Sequence, residues 1–220
     1  MYEILEDYLD IFKTGKFISK IEKKQRQSKL INWYKKEYKS NPNYQEVEQF
    51  MNDNDNVNFA RQFYFKVVFP VVDYEVNENG NVQGLVSLFN KEKISQYEEY
   101  KDFQISILDI ENQVLEKDPN NAIVLNYRLQ RQKRFFEFTI HEVPCGVLCG
   151  MNGATKEQIK GLKEDIKDYA KLCKQLNFQD DELIENCKIY YDAWENYINN
   201  SKEYNGFQDY LEKHNILCDL

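Results

Sequence analysis

His141, Cys145 and Cys149 stand four residues apart in this chain, and His214 and Cys218 repeat that interval near its end. Imidazole nitrogen and thiolate sulfur are donors that zinc accepts, and four of them converging would make a closed tetrahedral site. Two features weigh against a metal. Structural zinc pairs usually sit in tight knuckles, and Pro144 breaks the helix that would align His141 with both thiols. Free cysteine is also among the most buried residue types, so core packing accounts for Cys173 and Cys187. Glu137 and Glu142 lie close to His141 in the chain, and a carboxylate one turn from an imidazole is how a general base is oriented. A His-Glu-x-x-His metalloprotease helix, however, needs a second histidine where Cys145 stands. The chain has no Gly-x-Ser-x-Gly elbow, Walker-type loop or dinucleotide-binding glycine pattern. The expectation is a protein without cofactor or metal that is not an enzyme. The alternative is a metal-binding or hydrolytic enzyme centred on His141, Cys145 and Cys149.

Charge supplies the second kind of chemistry. A net charge of −8 argues against general affinity for nucleic acid or anionic lipid. Between Lys13 and Lys39, however, ten basic residues face only Glu22 and Glu37, a local balance of +8 that leaves −16 on the remainder. This basic 13–39 segment carries Phe17, Trp33, Tyr34 and Tyr38, so it could hold phosphates while its aromatics stack on bases. The plainer reading is a solvated lysine face over an aromatic core stripe. Aromatics make up 15% of the chain, and part of that excess is expected at a contact surface.

These residues must be positioned by helices. Ile4, Leu5, Tyr8, Leu9 and Phe12 recur at helical spacing up to Thr14-Gly15, and a second, basic helix runs from Phe17 to about Tyr38 before Ser40-Asn41-Pro42-Asn43. The stretch 57–89 is ambiguous. Phe63 to Phe69 has strand-like composition and Asn79-Gly80 is a hairpin dipeptide, yet Ala60, Phe63, Tyr64, Val67 and Val68 also form a helical stripe that Pro70 would kink or end. Helix is favoured there. Phe103, Ile107, Ile110 and Val114 mark a helix that stops at Asp118-Pro119-Asn120-Asn121, and Ala122, Leu125, Leu129, Phe136 and Ile140 mark the next. Thr155 with Gln158 makes a capping box before the stripe Ile159, Leu162, Ile166, Tyr169 and Cys173. Asp180 and Asp181 suit the N-terminus of a helix through Leu183, Cys187, Tyr191 and Trp194, and Asn205-Gly206 precedes a short last helix. The fold class is therefore all-α, an irregular helical bundle or short helix-hairpin solenoid, with a small β-hairpin within 57–89 left open. One helical domain over 1–220 is expected, with a subdivision into 1–90 and 91–220 left open.

Five cysteines, an odd number confined to the last third, are unlike a secreted disulfide scaffold and suit a reducing cytoplasm. The acidic start and the lack of an apolar run near the roughly 20 residues that span a bilayer make export and membrane insertion unexpected.

Helix pairs joined at Lys13-Thr14-Gly15-Lys16-Phe17 and Asp118-Pro119-Asn120-Asn121 resemble tetratricopeptide-type arrays, although that family's Trp, Leu-Gly, Tyr and Ala positions do not recur at its 34-residue period. The resemblance implies a helical, repeat-like body. An acidic, helical chain of this size without a catalytic motif is similar in general character to immunity proteins that neutralise bacterial toxins. That likeness implies a basic protein partner; from the charge balance nucleic acid is the less expected partner, through the basic 13–39 helix, and no membrane is expected. The candidate partner-binding residues are Asp180, Asp181, Glu182, Glu185, Tyr190, Tyr191 and Trp194, several of which must also serve the core. The glycine-rich loop 143–154 adds Val147, Leu148 and Met151, because small and apolar residues in a connection invite close approach. A buried interhelix turn is the competing reading of that loop.

Overall fold

The computed structural model describes residues 2–12 and 19–216, all of whose regular elements are helical. No strand occurs among them, so the hairpin left open within 57–89 is not formed. The turn at Lys13 to Phe17 lies outside the described residues, as does Cys218. The chain separates into two compact units, Met1–Asn121 and Ala122–Leu220, and the boundary falls at the Asp118-Pro119-Asn120-Asn121 turn, not at residues 90/91.

In the first unit α1 (Glu3–Phe12) buries Ile4, Leu5, Tyr8 and Ile11, and α2 (Lys20–Lys35) begins in a capping box of Ser19 with Glu22. α3 (Tyr44–Asp53) starts in the same way, on Asn43 and Glu46. A single helical rod then runs through α4 (Arg61–Phe63), a wide π turn (Tyr64–Val68) and α5 (Phe69–Asn79). α6 (Gln83–Asn90), α7 (Ile94–Tyr100) and α8 (Ile107–Lys117) complete the unit.

Pro70 does not end the rod, and the π turn explains why. Proline has no N–H and its ring crowds the carbonyl four residues back, so a regular α ladder cannot pass through it. Here the Phe69 N–H donates to the Tyr64 carbonyl five residues earlier, and the widened turn absorbs the misfit. The strand-like residues are helical because burial overrides intrinsic preference. Phe63, Tyr64, Val67, Val68, Phe69 and Val72 are all buried, and Gly80, in the left-handed conformation (φ 60°), caps α5. Phe103, expected on a helical stripe, instead sits in a turn at φ 57° and is 70% exposed.

The core of this unit is a stack of rings around Phe63, with Tyr8 at 4.5 Å, Phe59 at 4.8 Å and Phe50 at 5.9 Å between centroids. The Trp33 indole donates to the Ile4 carbonyl (2.9 Å), and the Ala60 N–H donates to the Tyr8 hydroxyl (2.7 Å), so the polar ends of these rings are satisfied.

The second unit is built on α9 (Ala122–Ile140), α10 (Lys156–Gln175) and α11 (Asp181–Asn199), which pack on one another. A short α12 (Phe207–Lys213) lies on α11 and on the 3₁₀ turn Val143–Cys145. The expected Thr155–Gln158 capping box opens α10. Two polar ties fix the three long helices. Asp180 accepts from Lys133 of α9 (2.9 Å) and from the Tyr169 hydroxyl of α10, while Lys163 of α10 pairs with Asp192 and Glu195 of α11. Many of the aromatic residues are buried in cores such as these; Trp194, Phe207 and Tyr210 make another ring cluster.

Candidate functional site

His141 closes α9 and both of its ring nitrogens are engaged. Nδ1 lies 2.6 Å from the Phe138 carbonyl oxygen, and Nε2 lies 3.0 Å from Glu142. Glu137 is drawn to Lys133 (3.9 Å). The carboxylate–imidazole pair therefore exists, but no ring nitrogen is left open to take a proton from a substrate. Cys145 is exposed in the following turn, whereas Cys149 points inward, where burial pushes its thiol pKa up. Its N–H donates to the Thr139 carbonyl (2.8 Å). Among the described residues no three histidine, cysteine or acidic side chains gather as metal ligands. His141, Cys145 and Cys149 do not converge: the helix ends before the proline turn, and Cys145 is exposed while Cys149 is half-buried. His214 meets the Tyr204 hydroxyl (3.1 Å) and stacks on Tyr210. The four described cysteines, Cys145, Cys149, Cys173 and Cys187, are free thiols.

The loop 143–154 packs inward. Val143, Leu148 and Ala154 are buried, and the Trp194 indole donates to the Ala154 carbonyl (2.8 Å). Gly153, at φ 71°, lies so close to Trp194 that a Cβ there would fall 2.4 Å from the ring. Of the three loop residues considered for partner contact, Leu148 is core, Val147 is half-buried, and Met151 is 96% exposed.

On α11 the aromatic and acidic candidates separate by face. Tyr190, Tyr191 and Trp194 are buried, and the Tyr191 hydroxyl shares a hydrogen bond with Thr139 (2.6 Å). Asp180 is spent on Lys133 and Tyr169. Asp181, Glu182 and Glu185 remain exposed. Two residues join them that sequence reasoning passed over. Ile189 is 41% exposed, and Asp192 is exposed and pairs with Lys163. Their signal was present in the spacing, since Glu185, Ile189 and Asp192 step along one side of a helix at intervals of four and three. The result is an exposed apolar side chain one turn from Glu185 and from Asp192, which pair with Lys188 (3.7 Å) and Lys163.

The first unit carries a groove of about 410 Å³, within the usual size of ligand pockets, and its walls include Tyr2, Asn41, Lys66, Val71, Tyr74 and Glu75. Most of its polar groups already have partners inside the protein. The Lys66 ammonium, on the π turn, donates to the carbonyls of Tyr34 and Lys36 (2.6 Å each) and lies over the rings of Trp33, Tyr34 and Tyr38. Burial lowers its pKa, yet its position is that of a cation capping the C-terminal end of α2. Tyr2 donates to Glu46 (3.2 Å), and Glu75 accepts from Asn81 (3.3 Å).

No helix among the described residues is long and apolar enough to cross a membrane. In comparisons with known proteins, no family model, no curated protein and no solved structure matches this chain.

Proposed function

We propose that this chain is a non-enzymatic protein-binding module that offers an acidic helix face to a basic partner, in the manner of an immunity protein that neutralises a basic toxin. The observation that carries the reading is the solvent side of α11, where the exposed Ile189 shares one side of the helix with Asp181, Glu182, Glu185 and Asp192. An apolar centre with a polar rim is the anatomy of protein interfaces, and carboxylates speed encounter with a basic surface. The face is also preorganised, because Ile184, Cys187, Tyr191 and Trp194 on the opposite side are locked in the core, so little ordering cost remains to be met on binding.

The test is affinity capture from the native cell with the unaltered chain and with an Asp181→Lys/Glu182→Lys/Glu185→Lys variant in parallel. A basic protein held by the first and lost by the second is the expected result. Recovery of no partner under mild conditions, or equal recovery by both baits, would remove the proposal.

A further inference from the structure

The first half of α2 is largely open to solvent. Residues 19–29 are exposed on every side, except for Arg26, which is half-exposed and lies over the Phe12 ring; burial begins only at Leu30 and Trp33. The ammonium groups of Lys20, Lys23, Lys24, Lys29 and Lys35 form no ion pair or hydrogen bond with any described residue, and Glu22, the helix's only acid, is turned back onto the Ser19 cap. A polar helix with this little packing is marginal in water, so a lysine array on it without ion-pair partners among the described residues is a cost without a return there.

We propose that the exposed N-terminal half of α2 docks in the major groove of double-stranded DNA and binds its phosphates without reading sequence. Three observations choose this occupant. The bases are lysines with a single arginine, and lysine is depleted in protein interfaces but serves as a point charge for phosphate. Ile21 and Ile31 do not share one apolar stripe with other residues, as a helix lying in a membrane surface would need. The lysines also emerge on two sides. At 3.6 residues per turn Lys20 and Lys29 point about 180° apart, with Lys24 beside Lys20, so a helix lying between two phosphate ridges contacts both. The major groove of B-form DNA admits an α-helix, whereas that of A-form RNA is deep and narrow. The −16 balance on the rest of the chain confines the contact to this helix and makes it weak and governed by salt.

Fluorescence anisotropy of a labelled DNA duplex two helical turns long, titrated with the full chain, tests the assignment. About four lysine–phosphate contacts give binding at about 50 mM salt that weakens about 100-fold by about 200 mM. A Lys20→Glu/Lys24→Glu/Lys29→Glu variant with an unchanged circular dichroism spectrum should lose the interaction. Lys156→Glu/Lys160→Glu/Lys167→Glu, the same charge change on exposed positions of α10, should keep it. Absence of binding at low salt, equal loss in both variants, or equal competition by double-stranded RNA or poly-glutamate would each overturn it.

Discussion

Gly153 shows how much of this protein rests on single side chains. Its left-handed backbone and its contact with Trp194 let the loop 143–154 close over α11, and neither survives a side chain. Gly153→Ala should cost about 2–3 kcal/mol in urea unfolding, combining strain at positive φ with overpacking, and an unchanged midpoint would mean the loop does not hold Trp194. Buried phenols make a second point at this scale. Burial pushes Tyr8 and Tyr44 up to about 12 from their ordinary 10, opposed at Tyr8 by the Ala60 N–H and reinforced at Tyr44 by Glu48. Because the folded values are the raised ones, the unfolded chain gives up these protons first. Stability is therefore full below about pH 10 and is lost as pH rises from there through about 12. Phenolate absorbance followed together with circular dichroism should show these two tyrosines ionising only as helix is lost; ionisation near 10 in the intact helix would contradict their burial.

At the scale of elements, four of the helix starts are local chemistry. Ser19 with Glu22, Asn43 with Glu46, Ser106 with Asp109 and Thr155 with Gln158 are reciprocal capping boxes, each satisfying backbone donors that the first turn leaves open. Thr155→Ala should lower stability by about 1 kcal/mol, read from the urea midpoint, while leaving the helical signal of the folded state in place. The π turn before Pro70 belongs to a different class, because it arises from a residue that ordinarily stops a helix being held in one by packing on Phe63, Val67 and Phe69. The same packing places Lys66 over the end of α2, so a local misfit becomes a tie between two helices.

For the whole molecule, the division at Asn121/Ala122 separates two sets of core residues. The first centres on Phe63 and its neighbouring rings, the second on the mutual packing of α9, α10 and α11. Residues 122–220 expressed alone should accordingly melt cooperatively with a near-ultraviolet aromatic signal, and a gradual melt without that signal would show that the unit depends on the rest of the chain. The exposed faces of α2 and α11 carry unlike charge. α2 presents lysines that pair with no described residue, and α11 presents Asp181, Glu182 and Glu185 on the side of the helix that carries Ile189.

Local rules in the sequence already determined the helices themselves, from the capping box at Thr155 to the stop before Pro144, because spacing of apolar residues and cap chemistry act within a few residues. The stretch 57–89 was legible only as an ambiguity, since strand preference and helical spacing coexist there and burial on several sides resolved them. Which of the candidate residues are accessible was decided by tertiary structure alone. Tyr190, Tyr191, Trp194 and Leu148 are in the core and Asp180 is held by Lys133, whereas Asp181, Glu182, Glu185 and Met151 are exposed. Residue type fixes what a side chain could do, but its direction depends on how helices distant in sequence pack against it. The same physics parts His141 from the cysteines beside it in sequence, because four residues of spacing bring side chains together only while the helix continues, and Pro144 ends it.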